Sequence, residues 1–158
     1  MVRAIIEKKG TYKDIPYLIA VNYMGHRCAY LDVSNTPFQK YANDENYDEC
    51  PLSVHGGVTY GGQGVLKESG DFIGWDYAHC DDKTIEPDEI KEIFKDYPET
   101  VAMLNTAIEH NCYGNPFGEW ENSLESVEKD VRDAIDELKQ MEMTLPKEKV
   151  AKIKGEER

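Results

Sequence analysis

The chain has 158 residues, 18 basic against 31 acidic, for a net charge of −13. That length suits one domain with its own core and needs no metal or disulfide staple. The hydrophobic fraction of 40% excludes wholesale disorder, and the negative field excludes a general nucleic-acid binder. From Thr144 onward the balance reverses, with five basic and three acidic residues, which leaves about −15 on the rest. A surface of that sign suits solubility, or docking to a basic partner protein.

Cys28, Cys50, Cys80 and Cys112 are far apart and form no CxxC pair, so a zinc ribbon is not supported. The chain opens at Met1 without a charged-then-apolar leader, and no apolar run is long enough to span a bilayer. The expectation is a soluble protein of a reducing cytoplasm, with no membrane partner.

In chain order, Val2 to Lys8 alternates too loosely to separate strand from helix. Tyr17–Met24 and Arg27–Val33 are rich in β-formers and read as two strands joined by a sharp turn at Gly25-His26. Ser34 to Pro51 reads as a long acidic loop. Leu52–Tyr60 reads as a strand interrupted at Gly56-Gly57, Gly61 to Gly64 as a turn, and Asp71–Ala78 as the last strand. Strands so close in sequence predict a mostly antiparallel sheet.

The second half predicts helices. Pro87 suits a first helical position, and Ile90, Ile93, Phe94 and Tyr97 form one stripe. Pro98 ends that helix or begins another, whose stripe is Val101, Leu104 and Ile108. Cys112 to Glu121 reads as a loop. Asn122, with Glu125 three residues on, predicts a capping box opening the longest helix. Leu124, Val127, Val131, Ala134, Ile135, Leu138 and Met141 line one face of it. That face would pack on the domain's own sheet, or form a homo-oligomer seam through Leu124–Met141. The fold class is therefore α+β over residues 1–143, a mostly antiparallel N-terminal sheet packed with C-terminal helices. Pro146 stops the helix, and a charged, frayed tail follows over 144–158.

Site chemistry concentrates between Met24 and Asp82. His26, His55 and His79 stand at strand edges beside glycine, acid or cysteine. One reading is a divalent-metal site drawn from His55, His79, Asp76 and Asp81, leaving a position for a water that hydrolyses a phosphoester or amide. A second is a pocket for a small nucleotide-like molecule. Gly56 and Gly57 would offer backbone N–H groups, Arg27 a bidentate fork, and Tyr60, Trp75 and Tyr77 stacking faces. A third is a nucleophilic Cys28 sharing a strand face with His26.

Three segments also resemble a known group. GHRCAY (Gly25–Tyr30), VHGGVTY (Val54–Tyr60) and GWDYAH (Gly74–His79) with Asp81-Asp82 are similar to a family of small phage, prophage and bacterial proteins. Its members carry GHRCGYV, VHGG[LI]T[YF] and GFDxAHxxD in that order, then an amphipathic helix. The likeness covers about half the chain. Ala29 replaces a glycine and Trp75 a phenylalanine, and the Thr84–Cys112 stretch is longer. Small phage proteins of this size often interfere with host defence. The resemblance thus implies a host-cytoplasmic phage-type protein. Glycine-rich backbone, arginine and aromatics in consecutive strands then lead to capture of a nucleotide-like signal through His26, Arg27, His55, Gly56, Gly57, Tyr60, Trp75, Asp76, Tyr77, His79 and Asp81. The same setting allows an acidic inhibitor that docks to a basic host protein of a defence complex.

Overall fold

The computed structural model describes residues 1–115 and 117–144; the expected tail beyond lies outside the described residues. Five strands form one antiparallel sheet: β1 (Ala4–Tyr12), β2 (Ile15–Asn22), β3 (Arg27–Asp32), β4 (Tyr60–Val65) and β5 (Glu68–Asp76), in the spatial order β1-β2-β3-β5-β4. Among the described residues three α-helices follow: α1 (Pro87–Ile93), α2 (Pro98–Glu109) and α3 (Leu124–Thr144). The fold class is α+β, as the pattern predicts, and among the described residues no helix is long and apolar enough to cross a membrane.

The stretch that composition leaves undecided at the N-terminus is the edge strand β1. Its register with β2 slips between Ile6 and Lys8, so Glu7 stands out of the ladder. A bulge of this kind re-aims the side chain, and here it turns Glu7 toward Arg27 at the start of β3.

The glycine-rich assignment is corrected. Leu52 to Thr59 is not a strand but a connection with a turn at His55-Gly56, and Gly61 to Gly64 is not a turn but part of β4. Glycine is needed at Gly61 because the main chain of Tyr41 and Asn43 lies where its Cβ would go. The hairpin actually turns at Leu66-Lys67, both with positive φ (46° and 70°). No Asn-Gly or Asp-Gly marks that turn, so the usual signal is missing. The acidic loop between β3 and β4 is packed. It carries 3-10 turns at Pro37–Tyr41 and Tyr47–Glu49, the first capped by the Thr36 hydroxyl accepting from the Phe38 N–H. It buries Phe38, Ala42 and Cys50.

Strand alternation divides the sheet's two faces. Tyr17, Ile19, Ala29, Leu31, Ile73 and Trp75 join the main core, whereas Leu18 and Phe72 face the other way beneath Tyr30 and Tyr60. The α3 stripe of Val127, Val131, Ala134, Ile135 and Leu138 closes the main core at 0–2% exposure. That stripe is spent on the chain's own sheet and is not free as a dimer seam. Pro98 opens α2, and Ile90, Phe94 and Leu104 of α1–α2 bury Val21 in a smaller cluster. The α3 cap differs from expectation. Ser123, not Asn122, accepts from the Ser126 N–H, at 3.1 Å, and Asn122 is used elsewhere.

Ile135→Ala removes most of a side chain buried beneath the sheet and costs about 2–5 kcal/mol. In urea titration its midpoint falls with an unchanged slope, whereas Lys129→Ala on the exposed face of α3 leaves the midpoint in place.

Candidate metal centre

The site forms where β5 ends. Beyond Asp76 the chain leaves the sheet: Tyr77 is buried, and a tight turn from His79 brings the Asp82 carboxylate back onto the His79 N–H at 2.9 Å. A side chain that accepts from the main chain three residues earlier closes such a turn locally. Strand alternation therefore does not govern the directions of His79, Asp81 or Asp82.

Asp82 is completely buried and is the hub. Its Oδ2 lies 2.9 Å from Nε2 of His55 and 3.1 Å from Nδ1 of His79, and its Oδ1 accepts from Nδ2 of Asn122 at 3.0 Å. Burial alone would push the Asp82 carboxyl up. The hydrogen bonds from His55, the His79 N–H, Asn122 and the His79 ring outweigh it and hold the group below the usual carboxylate range. His55 is fixed by stacking on Tyr77, with ring centroids 4.8 Å apart and planes 13° from parallel. Tyr77 is itself anchored, accepting from the Trp75 indole N–H at 3.0 Å and donating to Asp130 of α3 at 2.8 Å. Gly56 is required here. Its φ is +71°, and a Cβ would run into the His79 imidazole.

The third wall comes from the loop before α3. Trp120 pairs alongside Asp82, its N–H donating to the Asp81 carbonyl at 3.0 Å and its carbonyl accepting from the Lys83 N–H at 2.8 Å. Its indole meets His55 edge-on at 5.6 Å and remains about half exposed.

His55, His79 and Asp82 each offer a ligand atom, all three within 4.8 Å of one another. A tetrahedral site with metal–nitrogen bonds near 2.0–2.1 Å has ligand–ligand spacings of roughly 3.3 Å. Opening the observed 2.9 and 3.1 Å by a few tenths of an ångström meets two of the three edges, and the third, between the imidazole nitrogens, lies within 4.8 Å. Three donors also crowd Oδ2, an oxygen with two lone pairs in its plane. A divalent cation in place of two ring protons would relieve that crowding and leave a fourth position open.

Of the residues expected at a site, the structure brings together His55 and His79, with Gly56 and Tyr77 behind them. Asp81 is exposed, and it is its neighbour Asp82 that lies against the two histidines. Asp76 turns away, bonding the Thr59 hydroxyl at 3.0 Å and the Ala78 N–H. His26 is tied to the Tyr77 carbonyl through Nδ1 at 3.0 Å. Arg27 is 5% exposed and forks onto Glu7 at 2.7 and 3.1 Å, so its guanidinium is not an open anion site. Trp75 is core, and Tyr60 lies over the opposite sheet face. Gly57 faces open space. Asp82, Asn122 and Trp120 were not among the expected site residues. The His79-x-x-Asp82 spacing is the one local signal that marks Asp82.

Cys28 is not suited to nucleophilic work. Burial, with the Asp76 carboxylate adding to it, pushes its thiol up to about 11 against a small pull from Tyr30. All four cysteines are free thiols. Compared with known protein families, curated proteins and solved structures, the chain gives no match in any of the three.

Iodoacetamide at pH 7 is expected to modify the exposed Cys80 and Cys112 first, with Cys28 and Cys50 reacting only after denaturation. Mass spectrometry of the time course reads the order, and Cys28 alkylated as fast as Cys80 would contradict the assignment.

Proposed function

We propose that the chain is a metal-dependent hydrolase, in which His55, His79 and Asp82 hold one divalent transition metal. The observation that carries this reading is the convergence of two imidazole nitrogens on the buried carboxylate of Asp82. Imidazole and carboxylate donors suit zinc, manganese or iron. Two histidines and one carboxylate form a three-ligand set of the kind that leaves room for water. The half-exposed face of His79 gives solvent a way in.

A divalent metal held by His55, His79 and Asp82 would supply a water ionised near neutral pH, the chemistry needed to hydrolyse an amide or ester. A carbonyl substrate is favoured over a phosphoester by the surroundings. Asp81, Glu119 and Glu121 are exposed and flank Asp82 and Trp120 in sequence, and the ammonium of Lys83 is already paired with Glu86 at 3.0 Å and Glu121 at 3.2 Å. Acidic neighbours of this kind disfavour phosphate. The half-exposed indole of Trp120 would offer a substrate an apolar rest beside His55.

Nucleotide capture draws less support from the geometry, because Arg27, Trp75 and Tyr77 are all committed inside the protein.

Protein dialysed against zinc, manganese or cobalt(II) should retain about one metal per chain by elemental analysis, and His55→Ala or His79→Ala should lose it. The loaded protein should cleave p-nitrophenyl acetate or amino-acid nitroanilides faster than bis-p-nitrophenyl phosphate. Absence of stoichiometric metal sinks the reading. Retained metal without turnover of any of these substrates would leave a structural centre instead of an enzyme.

A further inference from the structure

Resting on the metal reading above, we infer that Arg27 and Asn122 are positioning residues, which fix the metal-binding carboxylate of Asp82 from behind. In so acidic a chain, composition alone would place this arginine at a ligand. Arg27 instead sits in the interior among four elements. Its Nε and Nη2 donate to the two carboxylate oxygens of Glu7, raised by the bulge of β1. Its Nη1 donates to the main-chain carbonyl of Asn122 at 2.8 Å, and Glu89 of α1 approaches at 3.5 Å.

Asn122 carries the link forward. With its carbonyl held by Arg27, its side-chain amide donates to Asp82 Oδ1 at 3.0 Å and to the Trp120 carbonyl at 3.2 Å. One oxygen of Asp82 is thereby occupied and oriented, and the other faces the two imidazoles. A carboxylate ligand held in this way presents one lone pair in a fixed direction, and removing such an outer partner commonly weakens metal binding about 10- to 100-fold. The planar guanidinium is suited to the task because it satisfies a carboxylate and a carbonyl at once, which a lysine ammonium cannot reproduce in the same plane.

The bond to Asn122 runs through its main chain, so the two contributions separate by mutation. Asn122→Ala removes the contact to Asp82 while the Arg27–carbonyl bond can persist. Arg27→Lys keeps a cation opposite Glu7 but loses the fork. Glu7→Met with Arg27→Met deletes the link without leaving one charge buried alone. Glu89→Gln alters only the distant, exposed partner.

Cobalt(II) affinity by chelator competition and the cobalt visible spectrum are to be measured on each variant, well below its melting temperature. Asn122→Ala should weaken cobalt about 10- to 100-fold and change the spectrum. Arg27→Lys and the double variant should weaken it about tenfold, and Glu89→Gln should match wild type. Lowered melting temperatures with wild-type affinity and spectrum would make both residues merely structural and overturn the inference. An effect of Asn122→Ala without one from Arg27→Lys or the double variant would overturn the role of Arg27. Wild-type protein that takes up no cobalt would remove the metal reading itself, together with this inference.

Discussion

The completely buried carboxylate of Asp82 constrains everything around it. An ionised carboxylate taken out of water costs several kcal/mol unless charge and hydrogen bonds replace its hydration. Four groups do so here, from three separate stretches of chain: the ring of His55, the N–H and ring of His79, and the amide of Asn122. The turn after β5, the connection before β4 and the loop before α3 are therefore bound to one point. Substituting one of those partners affects all three stretches.

A flat sheet edge could not bring those stretches together. The sheet and α3 supply the rigid side. Trp75 at the end of β5 bonds Tyr77, and Tyr77 bonds Asp130 on α3 while providing the surface on which His55 stacks. The hydrophobic stripe of α3 thus has two consequences. It closes the core beneath β2 and β3, and it places Asp130 where it can hold the tyrosine beneath His55. Arg27 provides a second brace from the other side, tying β1, β3 and the entry to α3 around one guanidinium. Both braces are polar groups in the interior with their partners satisfied, which limits the geometries they allow.

Periodicity made the α+β class and the α3 stripe legible, because burial on one face imposes a repeat on the sequence, and the short connections between strands pointed to antiparallel pairing. It failed where local residues serve distant contacts. The glycines from Gly61 to Gly64 look like a turn, yet they lie in a strand because another loop packs against them and Tyr60 covers them. Asn122 looks like a helix cap, yet its amide is drawn to Asp82, and Ser123 caps instead. Arg27 looks like a ligand fork, because a sequence does not show that a bulge aims Glu7 at it.

By itself the sequence determined which residues alternate toward a core, that a helix begins at Pro87, and that histidines and acids cluster before Asp82. Those properties depend on neighbours within a few positions along the chain. Only the tertiary structure decided that His55, from another stretch of the chain, meets Asp82. It also decided that Arg27 supports the site from inside instead of facing a ligand. Both outcomes depend on contacts between residues 20 to 95 positions apart, and the energy of satisfying a buried charge selects among them only once the chain has closed.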